Sequence, residues 1–265
     1  MAGQVGKGIV ITSSQNAKIK LVHALGGRTK ERRAAGAFIV EGVRLVEEAV
    51  RSNWGIRFAL YDSSLNARGS SLVEQLIAGG TEVDEVSEHL MKSLSDTETP
   101  QGIVAVLDFS NTPIASTLNF VLIPDQIRDP GNLGALLRTS AAAGVQAVFI
   151  PPETTDAFAP KVLRAGMGAH FRLPILPMKW EKIRRETKDL QVFLADMDGI
   201  SCWEMDLHQP LALIVGSEAE GASQDARELA MQKISIPMFS GMESLNAGVA
   251  GSVLMFEVVR QRLHS

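Results

Sequence analysis

The sequence predicts an α/β chain of two units, an N-terminal α/β domain over residues 1–110 and a C-terminal domain over 117–265 built on a mainly parallel sheet. Three observations carry this. Short apolar runs alternate with helical periodicity along the whole chain. The apolar runs of the second half lack polar alternation, as strands buried on both faces do. Between the halves, Ser110-Asn111-Thr112-Pro113 is polar and turn-prone, the composition of a linker. With 265 residues, 45% hydrophobic and 21% charged, the chain is long and apolar enough for two cores.

In the first unit the pattern predicts a helix near Ala17–Leu25, a strand at Phe38–Glu41, a helix at Val43–Arg51 and a strand at Phe58–Tyr61. A helix near Leu72–Ala78, a strand at Glu82–Val86, a short helix after Ser87 and a strand at Ile103–Leu107 complete it. The second unit opens with a strand at Phe120–Pro124, a loop through Pro130-Gly131 and a helix from Asn132 to about Ala143, closed by Gly144 as a C-terminal cap. Strands are expected near Ala147–Ile150, Gln191–Ala195, Leu211–Val215 and Ile234–Ile236. A last helix is expected from about Ser244 to Arg262, with Ala247, Gly248, Ala250, Gly251 and Ser252 in its first turns.

Composition removes several classes. Cys202 is the single cysteine, so an internal disulfide and a multi-cysteine zinc site are excluded and a reducing compartment is expected. No apolar run approaches the roughly 20 residues of a membrane-spanning helix. The opening MAGQVGKGIVITSSQ lacks the marks of a signal or transit peptide, which leaves a cytoplasmic location as the expectation. Net charge is −4, yet residues 1–60 carry ten Lys/Arg against four Asp/Glu, while residues 61–126 carry two against ten. A basic first stretch on an acidic chain fits one face that meets a polyanion; it equally fits a solvated surface. G-x-G-x-x-G, P-loop and G-x-S-x-G spacings are absent, and the five histidines stand too far apart in sequence for metal-ligand spacing, so no metal is expected.

Three loops remain, each at the carboxyl end of an expected strand. In Ile127-Arg128-Asp129-Pro130-Gly131-Asn132-Leu133, Pro and Gly turn the chain sharply and Asn132 stands where it can cap the following helix. Arg138 is the one charge between Pro130 and Pro152, either paired or awaiting an anion, or else snorkelling at the surface. The second loop, Val215-Gly216-Ser217-Glu218-Ala219-Glu220-Gly221, places Gly216 where backbone can approach a ligand, and Glu218 where it can answer Arg138. In the third, Ile236-Pro237-Met238 leads through a Pro/Gly loop to Ser244-Leu245-Asn246 at a helix start, where backbone amides point outward.

Taken together, in this order and spacing, these blocks resemble the SpoU/TrmH family of SPOUT RNA 2′-O-ribose methyltransferases: an N-x-x-x-x-x-R first motif, a G-x-E-x-x-G second and an I-P-M…S-L-N third. Phe38-Ile39-Val40-Glu41-Gly42 after a basic stretch is similar to the L30e-like substrate-binding domain found in this family. Arg164-Ala165-Gly166-Met167-Gly168-Ala169 is similar to a family segment that usually reads R-A-S-x-G-A, with Gly166 in the place of serine; Ala247 likewise departs from the more frequent valine.

The resemblance implies a trefoil-knotted C-terminal domain that binds S-adenosyl-L-methionine and forms a homodimer, with the apolar last helix (Val249, Val253, Leu254, Phe256, Val258) at hand for the contact. Ala195, Gly216, Ser217, Ile236, Met238, Leu245 and Asn246 would surround the cofactor, and Asn132, Arg138, Glu218, Ser244 and Asn246 would form the catalytic set. Family accounts make the arginine a base; because arginine stays protonated in proteins, the role expected of Arg138 is to hold the adjacent phosphate or stabilise the developing alkoxide. Glu218 would orient Arg138, Asn132 and Asn246 would fix the hydroxyl, and Ser244 would help close the pocket. Structured RNA is the implied partner, gripped by Arg28, Lys30, Arg32, Arg33 and Arg164, with ribosomal RNA preferred and transfer RNA second. A non-catalytic RNA-binding protein, or a small-molecule or protein methyltransferase on the same scaffold, are the alternatives; the joint presence of the five catalytic candidates argues against the first and the basic N-terminal unit against the second.

Overall fold

A computed structural model of the chain describes residues 10–95, 100–109, 114–217, 221–239 and 244–263. Two compact units emerge, Met1–Asn111 with Phe158–Pro160, and Thr112–Ala157 with Lys161–Ser265.

The first unit contains α1 (Ala17–Gly27), α2 (Thr29–Ala35), β1 (Ala37–Glu41), α3 (Val43–Arg51), β2 (Ile56–Tyr61), α4 (Ala67–Ala78), β3 (Glu82–Glu85), α5 (Glu88–Leu94) and β4 (Ile103–Asp108). Short polar side chains start its helices: Asn16 accepts from Lys18 N at 2.8 Å and Asn66 from Gly69 N at 3.0 Å, satisfying amides that have no partner inside the helix. The sheet order is β1-β4-β2-β3, with β4 antiparallel to both neighbours and β2 parallel to β3. Ile19, Val22 and Leu25 of α1 pack with Ile39, Phe58, Leu60 and Val106 of the sheet and Met91 of α5 in one core. One element, α2, was not anticipated: the basic stretch Thr29–Ala35 is helical and ends at Gly36, whose φ of +61° suits glycine.

The second unit contains β5 (Phe120–Pro124), α6 (Pro130–Ala142), β6 (Ala147–Ile150), α7 (Pro160–Gly166), β7 (Ile175–Pro177), α8 (Trp180–Glu186), β8 (Gln191–Ser201), β9 (Leu211–Val215), α9 (Gln224–Leu229), β10 (Gln232–Ser235) and α10 (Ala247–Leu263). Six strands form a wholly parallel sheet in the order β10-β8-β9-β5-β6-β7. Because helices cover it, its central strands β5 and β9 are buried along their whole length, which is why they read as continuous apolar runs.

Three local expectations are corrected. Asp129, not Asn132, caps α6, its carboxylate accepting from Asn132 N at 2.8 Å; Pro130 lacks an N–H and so stands at the first helical position, moving the helix start two residues earlier. The last helix starts at Ala247, with Asn246 as its cap through Val249 N at 3.2 Å, rather than at Ser244. Strand β8 runs to Ser201, six residues beyond its expected end.

Helices α6 and α7 meet closely. A Cβ on Gly134 would lie 2.3 Å from Ala165 Cβ and 3.0 Å from Gly166 N, so only glycine fits. Gly166 in turn faces the His170 ring, where an added Cβ would lie 2.9 Å from Cε1. His170 is buried, with Nε2 2.7 Å from Ala157 O. Burial disfavours the imidazolium and, against the Ala157 carbonyl and the charge of Asp156, brings the pKa down to about 4. A histidine neutral in the fold and titrating near 6.5 when unfolded contributes stability fully above about pH 6.5 and loses it as pH falls toward 4, by about 3 kcal/mol in all. Thermal unfolding between pH 7 and 4.5 is expected to fall more steeply in the natural chain than in His170→Gln; parallel profiles would contradict this account.

Candidate active site

The sheet of the second unit has one irregularity, and the site lies there. Strand β10 pairs with β8 at Lys233↔Leu194 and resumes at Ile234↔Ile200, so residues 195–199 leave the ladder. Gly199 makes the re-entry possible, since a Cβ there would stand 2.6 Å from the backbone of Ile234. Ser235 Oγ donates to Gly199 O at 2.9 Å and Cys202 N donates to Ser235 O at 2.8 Å, which holds the two strands beyond the gap. Asp196 is fixed by Lys233 at 2.9 Å; burial opposes its charge, and the bonds from Lys233 and Asp198 N outweigh this and keep the carboxyl below its ordinary range.

The displaced segment borders a cavity of about 260 Å³. Its other walls are the end of β9, the turn that follows, the loop after β10 and the start of α10. Ser217 and Gly221 are joined on both sides: Ser217 N donates to Gly221 O at 3.1 Å and Gly221 N to Ser217 O at 3.0 Å. Gly216 fits against it because a Cβ would approach Ala222 N and Gly221 C at 3.0 Å. Ala195, Gly216, Ser217, Ile236, Met238, Ser244 and Leu245 all line this one cavity, although they come from four segments spread over some fifty residues. Small and apolar groups (Ala247, Ala250, Leu254) line it together with the polar groups Ser235, Asp196 and Arg227, the mixed lining of a small-molecule site. Arg227 and Asp196 were missed by sequence reasoning, since an arginine on a short polar helix and an aspartate after a strand carry no signal of their own.

At the start of α10, Asn246 Nδ2 donates to Asn132 Oδ1 at 2.8 Å, joining residues 114 positions apart. Asn246 does not line the cavity but caps the helix whose Ala247 does. Helix α6 is held against α10 by Thr139 Oγ1 and Ser252 Oγ at 2.8 Å, and by Gly251, where a Cβ would stand 2.4 Å from Leu136 Cδ2. The small residues in the first turns of α10 therefore admit α6. Arg138 is exposed and makes no hydrogen bond or ion pair among the described residues. Its isolation in sequence is thus no burial cost, and the structure does not bring it to the cavity. Glu218 lies outside the described residues.

In the first unit Arg28, Lys30 and Arg33 are exposed. Arg32 is not: it is 2% exposed, donating from Nη1 to Leu25 O at 2.7 Å and from Nη2 to Thr29 Oγ1 at 3.3 Å. It closes the C-terminal end of α1, where a free carbonyl attracts a cation, and is removed from the RNA-gripping set. Arg164, on α7, is half-buried. Among the described residues no group of three or more His, Cys, Asp or Glu is placed to hold a metal ion, and no helix is long and apolar enough to cross a membrane.

Comparison with known proteins places this geometry. The SpoU rRNA Methylase family model matches residues 119–256, more than half of the chain, and the MRM3-like substrate binding domain model matches residues 16–105. The chain belongs to the SpoU rRNA methylase family. It is 32% identical to the 23S rRNA (guanosine(2553)-2′-O)-methyltransferase RlmP of Bacillus subtilis over 253 residues, 94% of this chain and 98% of the relative. The crystal structure of the SpoU methyltransferase AviRb from Streptomyces viridochromogenes in complex with the cofactor AdoMet superposes with a TM-score of 0.81 at 29% identity, over 94% of this chain and all of that one. The AdoMet-bound rRNA methyltransferase from Sinorhizobium meliloti gives 0.84 at 28% identity, over 96% and 98%. The matches extend across both units, and the mixed α/β N-terminal unit followed by a parallel-sheet methyltransferase fold agrees with the fold class expected from the sequence.

Proposed function

We propose that this chain is an S-adenosylmethionine-dependent RNA methyltransferase that modifies a ribose 2′-hydroxyl in 23S-type ribosomal RNA. The observation that carries the reading is the gathering of the second- and third-motif residues around one cavity, beside an Asn132–Asn246 pair that brings the first motif to the third. The cofactor, when bound, supplies an electrophilic sulfonium methyl. Glycine backbone at 216 and the apolar groups Ile236, Met238 and Leu245 hold it, with Ala195 and Ser217 beside them. Asn132 and Asn246 align the attacking hydroxyl, which is the larger part of the task for a weak nucleophile. Arg138, exposed and too basic to accept a proton, would meet the phosphate next to the target ribose or stabilise the alkoxide as the hydroxyl's proton passes to solvent water. Ser244 closes the cavity, and Glu218 is assigned to orient Arg138. The N-terminal domain, residues 1–110, grips structured RNA through Arg28, Lys30 and Arg33, with Arg164 contributing from the domain over 117–265, and relatives that act on ribosomal RNA along their whole length favour that substrate over transfer RNA. On the same reading the enzyme works in the cytoplasm, and the segments from β8 onward form the trefoil knot of SPOUT enzymes. It pairs as a homodimer through α10, where Val249, Val253 and Phe256 share an exposed face while Leu254 and Val258 are buried in the chain's own core.

Purified protein with methyl-labelled S-adenosylmethionine is expected to place label in a 2′-O-methyl nucleoside of unmodified ribosomal RNA. Label only in transfer RNA would move the substrate, and none in either would refute the reading. In the same assay Arg138→Ala should lower transfer by about 10²-fold or more while cofactor affinity stays the same; joint loss would overturn its role. Changing Lys30 and Arg33 together to Ala should flatten the salt dependence of RNA binding by a slope of roughly 1 to 2, whereas Arg32→Ala should lower the unfolding temperature instead. Val253→Asp with Phe256→Asp should halve the mass seen in sedimentation; an unchanged mass would place the dimer contact elsewhere.

A further inference from the structure

Asp125 follows the last residue of β5 and is fully buried. Its backbone N donates to Val215 O at 2.9 Å, and its Oδ2 accepts from Ser223 N at 2.6 Å. Val215 and Ser223 are the two ends of the loop that contains Gly216, Ser217, Gly221 and Ala222, all of which line the cavity. One residue thus holds that loop at entry and exit. The next residue, Gln126, has a left-handed φ of +54° and opens the short loop that leads to Asp129 and α6.

The other carboxylate oxygen, Oδ1, is buried and has no hydrogen-bond partner among the described residues. Burial pushes the carboxyl above its ordinary value, against the hydrogen bonds from Ser223, while Asp225 and Arg227 act on it from α9 in opposite directions. A buried, half-satisfied carboxyl costs stability, so its presence calls for a return elsewhere in the molecule.

We infer that Asp125 is a positioning residue for methyl transfer: it ties the cavity-lining residues Gly216, Ser217, Gly221 and Ala222 to the strand end from which the loop bearing Asn132 departs. The inference rests on the functional reading above. Neither Asp125 nor Ser223 touches the cavity, so the effect passes through the loop between them. An acceptor at this position is required, and a full charge is not.

The test compares Asp125→Leu, which fills the space without an acceptor, with Asp125→Asn, which keeps one. Asp125→Leu is expected to weaken S-adenosylmethionine binding, measured by calorimetry, roughly tenfold or more, with an unfolding temperature within about 3 °C of the natural chain or above it. Asp125→Asn is expected to restore affinity to within about threefold, since its amide oxygen still accepts from Ser223 N. Hydrogen exchange on the protein alone should show the Ser223 amide protected in the natural chain and in Asp125→Asn, and exposed in Asp125→Leu. Unchanged affinity in Asp125→Leu, equal losses in both variants, or parallel loss of affinity and thermal stability would each overturn the proposal. A natural chain that binds no S-adenosylmethionine would refute the functional reading instead, and the exchange measurement would still decide whether Asp125 holds the loop.

Discussion

The site depends on how closely α10 lies against α6. Two helices approach more closely than ordinary side-chain packing allows only where one of them offers small residues, and α10 does so at Gly248 and Gly251, which face Ala135 and Leu136. That approach carries Asn246, the cap of α10, to Asn132 in the first turn of α6. It also sets the inner face of α10 (Ala247, Ala250, Leu254) as a wall of the cavity. A bulkier residue at Gly251, where even a Cβ would stand 2.4 Å from Leu136 Cδ2, would push the helices apart and separate the third motif from the first.

The opposite wall follows from a different constraint. A parallel sheet with an uninterrupted ladder has no room for a ligand between adjacent strands, so a cavity beside β8 and β10 requires the ladder to break. Residues 195–199 make the break and Gly199 ends it by allowing backbone to lie against backbone. Half of the residues that line the cavity are Gly, Ala or Ser. Such walls lose little side-chain freedom when a ligand binds, which favours a preorganised site.

Charge is organised by the same economy. In the N-terminal unit the cation set within the fold, Arg32, serves a helix end, while the exposed Arg28, Lys30 and Arg33 stay available to a polyanion. In the C-terminal unit the catalytic candidate Arg138 is solvated, where its charge costs nothing before substrate arrives.

Most helices and strands and the three loops at strand ends were legible in the sequence because each rests on local signals: periodicity, apolar runs without alternation, and Pro or Gly at the turns; the three-residue edge strand β7 was not, being too short to show a pattern. Gly216, Met238 and Leu245 were singled out through the blocks that resemble the family, and all three line one cavity. Helix α2 was not legible, because Thr29–Ala35 has no apolar periodicity and is helical through Arg32 and its neighbours. The cap of α6 was misplaced by one motif residue, since both Asp129 and Asn132 are able caps and Pro130 decides between them. By itself the sequence determined most of the residues that turn the chain and fill the core, and it singled out the three loops at strand ends. Only the tertiary structure decided that β10 skips part of β8 to open a cavity, that Arg32 faces inward, and that Asp125 holds both ends of a loop some ninety residues away. Each of these depends on contacts between segments far apart in the chain, and neither propensity nor spacing records which distant backbone a side chain will meet.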